Sequence, residues 1–121
     1  MSTADEQPPC RACGRPISPR RSHRGKAVVY CSDACRSRRL RPIDRRIEAR
    51  ILGLLDSRAP GSTICPSEVA REVRPADWRE WMECVRRAGR RLAARGEVTF
   101  TQGGCIVDPG TARGPIRIRR P

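Results

Sequence analysis

The chain has 121 residues, with 26 Lys+Arg against 13 Asp+Glu and a formal net charge of +13. That length holds one ordinary domain or two very small ones, and so large a positive excess points to a polyanion as partner, nucleic acid or an anionic surface. The polar start MSTADEQPP has no signal-peptide core, and nowhere do the roughly 20 apolar residues of a membrane span run together. The expectation is a cytoplasmic protein, nucleoid-associated if DNA is its partner, with no membrane role. Lys26 is the only lysine; a GC-rich genome alone produces that bias, so the sign of the charge informs more than the arginine preference.

Residues 1–9 are expected to be a disordered N-terminus. The next segment, 10–41, carries Cys10-x2-Cys13, 17 intervening residues and Cys31-x3-Cys35. In a reducing compartment such pairs read as metal ligands before disulfides. Four thiolates at about 2.3 Å complete a tetrahedral zinc shell, and zinc supplies roughly 10–16 kcal/mol of apparent folding energy. That is enough to order a segment with little core of its own. Four core cysteines would need apolar material the segment lacks, and a redox pair would need a βαβ frame that is missing. Gly14 permits a sharp turn after Cys13. KAVVYC reads as a short strand, and SDACRSRRL as a helix opened by Ser32 and Asp33. A knuckle followed by ligands at a helix entry is a treble-clef-like arrangement holding one structural Zn²⁺ on Cys10, Cys13, Cys31 and Cys35. His23 reads as an exposed loop histidine, while Arg11, Arg15 and Arg36 stand close enough to offset thiolate charge. The stretch CRACGRPISPR…VVYCSDACR, over residues 10–38, resembles a family of very short bacterial zinc-finger-like domains of unknown function.

Pro42 opens the second module, 42–121. Ile43, Ile47, Ile51, Leu54 and Leu55 mark one helical face, with Asp44 suited to cap it and Pro60-Gly61 to end it. STIC reads as a brief strand. PSEVAREV reads as a second helix with Pro66 first and Glu68 third. A third helix is expected from Trp78 to Arg95, stopped by Gly96, burying Trp78, Trp81, Met82, Val85, Ala88 and Leu92. EVTFTQGGCIVDP reads as a hairpin with its tip at Gln102-Gly103-Gly104, paired with the strand of Ile64. The order is that of a winged helix, so the fold class is mainly α with a small β-wing, preceded by the zinc module. The tail GPIRIRRP fits an edge strand or a loose basic arm. ICPSEVAREV, WREWMECVRRAGRRLAARGEVTFTQGG and GPIRIRR resemble a second bacterial family of unknown function, over residues 43–120. That resemblance implies a winged-helix-like fold and no biochemical role.

Arg79, Arg86, Arg87, Arg90 and Arg91 are expected on the outer surface of the third helix, where such a fold enters the DNA groove. With Gln102 at the wing tip and Arg117 and Arg119 in the tail, they form the candidate nucleic-acid contacts. Glu80 and Glu83 interrupt this surface, Glu83 at helical spacing to pair with Arg79 or Arg87, and most of the charge excess lies in residues 1–41. Cys84 and Cys105 read as small, partly buried apolar residues. Cys65 stands at a helix N-terminus, where a thiolate is favoured, yet this module has no histidine to serve as base. The functional expectation is a non-enzymatic nucleic-acid-binding protein, with DNA ahead of RNA. A protein-interaction adaptor is the alternative, and a thiol enzyme or sensor using Cys65 stands third.

Overall fold

The computed structural model describes residues 9–17, 30–31, 35 and 40–121. The expected N-terminal disorder, the KAVV strand, His23 and Arg36 lie outside the described residues. Helix α1 spans Pro42–Asp56, β1 Thr63–Ile64, α2 Pro66–Val73 and α3 Met82–Ala94, followed by β2 Thr99–Gln102, β3 Cys105–Val107 and β4 Arg117–Arg119. The body is thus mainly helical with a small antiparallel sheet.

Each boundary has a local cause. Pro42 and Pro66 occupy first helical turns, where no backbone N–H is needed. Asp44, expected to cap α1, instead sits in the third position and accepts the Arg41 backbone N–H at 2.8 Å. Glu68 does the same for the Cys65 N–H at 2.7 Å. The third helix does not begin as α-helix: Trp78–Trp81 is a tighter 3₁₀ turn leading into α3. It stops as expected at Gly96, whose φ of 75° suits glycine, with Gly96 N–H bonded to the Ala93 carbonyl and Glu97 N–H to that of Leu92.

The sheet order is β1-β4-β2-β3. The tight turn at Gly103 and Gly104, both at positive φ, sets the β2–β3 hairpin register. The hairpin does not pair directly with the strand of Ile64. Instead β4 lies between them, with Ile118 opposite both Ile64 and Phe100. GPIRIRRP therefore supplies an interior strand rather than an edge or a loose arm, because Ile118 is fully buried and anchors it.

The core joins Ile47, Ile51, Ile64, Val69, Val85, Ala88, Leu92, Phe100 and Ile118. Each large side chain there contributes about 1.5–3 kcal/mol of transfer energy. Gly89 makes the helix–sheet contact close: a Cβ at that position would lie 2.8 Å from Cζ of Phe100. Trp78 and Trp81 pack against this core but are only half-buried, a correction to their reading as buried anchors.

Candidate metal centre and its arginine shell

Cys10, Cys13, Cys31 and Cys35 bring their sulfurs within 4.8 Å of one another. Cys13 Sγ lies 3.5 Å from Cys31 Sγ, which lies 3.6 Å from Cys35 Sγ. Sulfurs at the corners of a tetrahedron around a cation at 2.3 Å stand about 3.8 Å apart. No disulfide joins them. Their spacing fits a four-coordinate ion, and the group could hold a metal. A turn from Cys10 to Gly14 forms the knuckle, closed by the Gly14 N–H to the Cys10 carbonyl at 2.8 Å. Cys10, Cys13 and Cys35 are buried and Cys31 is half-buried.

Burial raises the Cys10 thiol pKa, but the Cys31, Cys13 and Ala12 backbone groups outweigh it and bring the value down to about 7. Cys13 is pushed up to about 12, chiefly by burial. Burial likewise raises Cys31. Four thiols crowded into one site do not all ionise by themselves; a divalent cation stabilises the charge that crowding opposes.

The helical body grips this knuckle. Arg91, 5 % exposed, donates to the Ala12 carbonyl at 2.6 Å and to Glu48 at 2.7 Å. Arg87 donates to Cys35 Sγ at 3.6 Å. Gly14, at φ +76°, lies so close to α3 that a Cβ would come within 2.3 Å of the Arg90 carbonyl carbon. A cavity of about 200 Å³ follows the seam, lined in part by Cys10, Arg11, Arg45, Arg91 and Arg95. Glu48, only 4 % exposed, accepts from Arg45, Arg91 and Arg95 and is the anionic hub of the seam.

This packing changes the expected outer face of the third helix. Arg90 and Arg91 are buried, not on the surface; Arg90 donates to the Pro109 carbonyl and pairs with Glu83. Glu83 therefore serves Arg90 rather than Arg79 or Arg87. Half-buried Arg86 holds the carbonyls of Gly114 and Ala112, and Gln102 at the hairpin tip ties down those of Arg113 and Pro115. The loop 108–115 and the cysteine knuckle thus occupy side chains that periodicity alone turns outward. Of the remaining candidates, Arg79 is exposed and stacks over Trp78 at 5.0 Å. Exposed Arg117 bonds Thr63, and Arg119 is partly buried.

The body matches a family model, "Protein of unknown function (DUF3253)", over residues 44–121. The chain belongs to this family. The DUF3253 region takes in α1 through β4 but not the cysteine knuckle, so the likeness of residues 10–38 to short zinc-finger-like domains rests on those residues alone. No curated protein matches the chain.

Sequence reasoning missed Glu48, the Arg41 and Arg74 faces on Trp81, and Arg71 on Trp78. One signal was readable: Glu48 faces Arg91 and Arg95, which stand at i and i+4, but its meaning depends on α1 lying beside α3. Cys105 is exposed rather than partly buried, because β3 is an edge strand. Cys84 is half-buried beside Arg41, and Cys65 accepts from the Ser67 hydroxyl at 3.1 Å. No helix of the described residues is long and apolar enough to cross a membrane.

Proposed function

We propose that this chain is a small, non-enzymatic nucleic-acid-binding protein, with one structural Zn²⁺ on Cys10, Cys13, Cys31 and Cys35 and a winged-helix-like body. Four thiolates close the coordination shell, which suits a folding role and leaves no position for substrate. The helix–strand–helix–helix–hairpin order supports the winged-helix reading, with β4 as an added interior strand.

The observation that carries the nucleic-acid reading is the distribution of paired and unpaired charge. Asp44, Glu48, Asp56, Glu68, Glu72, Asp77, Glu83 and Glu97 each hold a guanidinium of this chain. Arg11, Arg15, Arg46, Arg71, Arg79, Arg113 and Arg117 are exposed without an ion pair to any described carboxylate. These cations suit phosphate contact, with duplex DNA ahead of RNA. Because α3 is engaged with its own chain, the contacts fall to such exposed arginines and to Arg79 at the start of the third helix.

Affinity for a short duplex, measured against salt, tests this. Several phosphate contacts require log affinity to fall by several units per tenfold rise in salt. An absence of binding at low salt overturns the proposal. A protein-interaction adaptor is the second reading, favoured by the half-exposed Trp78 and Trp81 faced by arginines, since Trp and Arg dominate protein interfaces.

A further inference from the structure

A second basic site lies at the C-terminal end of α1, in a cavity of about 380 Å³ lined by Leu55, Asp56, Arg58, Arg119, Arg120 and their neighbours. Three guanidiniums line it, and two are already held. Arg58 is bound by Glu68 and the Thr63 carbonyl, and Arg120 by Asp56 and the Glu97 carbonyl. Arg119 differs. Its side chain has neither hydrogen bond nor ion pair to a described residue, and its Nε is buried without an acceptor.

The neighbouring orphan is on the same rung of the sheet. Thr99 stands directly opposite Arg119 in the β2–β4 ladder, and its Oγ1 is the other buried side-chain atom without a partner among the described residues. Opposed residues project from one face of a sheet. A buried unpaired donor is costly, more so when charged, and Ile118 beside it fixes the strand by full burial. The sequence thus keeps an unneutralised guanidinium on an interior strand, at the wall of an open cavity.

We propose that this cavity is a phosphate-group site with Arg119 as its anchor and Arg58 and Arg120 as flanking cations. The assignment deepens the nucleic-acid reading and rests on it only for the source of the phosphate. Arginine offers donors alone, in a fork that matches a phosphate oxygen pair. A phosphodiester of a nucleic-acid strand and a free phosphate monoester present the same oxygens.

The test uses the full zinc-loaded chain and follows arginine Nε–Hε NMR signals during titration with inorganic phosphate, then with a short DNA duplex. Phosphate is expected to move the Arg119 signal. Arg119→Met, which removes the orphan donor at similar length, is expected to keep the fold and weaken phosphate binding about tenfold or more. If the duplex moves the same signal, the source is a phosphodiester. If phosphate moves it and the duplex does not, the site takes monoesters and stands, and the nucleic-acid reading fails only where the duplex moves no other arginine signal either. An Arg119 signal unmoved by both overturns the site, even where the duplex binds elsewhere and the nucleic-acid reading survives. That measurement needs only the natural chain, so a variant that fails to fold does not blunt it.

Discussion

Gly14 meets the backbone of α3 at Arg90 so closely that hydrogen is the only side chain the gap admits. Two constraints coincide there, a left-handed φ of +76° and contact with main-chain atoms that cannot swing aside. Gly14→Ala should therefore weaken the seam by about 1–3 kcal/mol and loosen the metal. Thermal unfolding and the rate of metal loss to a chelator check this; an unchanged rate would mean that the knuckle does not dock.

Glu48 offers a second handle on the seam. Replacing it with Gln leaves Arg91 buried without its carboxylate, at a cost of about 3–5 kcal/mol. Joint replacement of Glu48 and Arg91 by Leu and Met should recover much of that loss, since a buried pair contributes little beyond its own desolvation. Urea unfolding of Glu48→Leu, Arg91→Met and the double variant, beside the natural chain, gives the coupling energy.

Metal affinity should rise with pH across the neutral range. Cys10 ionises near 7 while Cys13 waits until about 12, so binding at neutral pH expels protons. Proton release on zinc addition, measured in weakly buffered solution, should fall as the starting pH is raised. No release would contradict four-thiolate ligation.

Thiol counting gives an independent check. The chain has seven cysteines; with metal bound only Cys65, Cys84 and Cys105 should react with a maleimide, Cys105 first because it is the exposed one. Chelation should release the other four. Fast reaction of Cys10 or Cys13 in the loaded protein would be inconsistent with the site.

Acid should unpin the start of α1. Burial raises the Asp44 pKa, but the Arg41 side chain and backbone N–H overcompensate and hold the carboxyl below its ordinary value near 3.8. Its contribution is therefore complete above that value and lost as pH falls through the lower, folded-state value. Asp44→Asn should flatten stability against pH in that acidic window, as urea midpoints at stepped pH would show.

The helices and the cysteine quartet were legible because their signals are local. Pro66 with Glu68, Gly96 after Leu92, and paired cysteines each act within a few residues. Burial of Arg90 and Arg91 was not legible: the helical period turns them away from the Val85–Leu92 stripe, and only knowledge that the knuckle and the 108–115 loop cover α3 turns them inward. The place of GPIRIRRP was ambiguous for the same reason. Alternating Ile and Arg suits an edge or an interior strand, and the choice depends on partners 16 and more positions away, at Thr101 and Ile64.

Because the ribosome delivers Arg117–Arg119 after the other described strands, the sheet cannot close until β4 has emerged. Ile64 and Phe100 must wait, each facing a gap that only Ile118 fills. Until then the nascent body holds an incomplete apolar layer, a state open to chaperones and to aggregation, and the arrival of β4 ends that exposure.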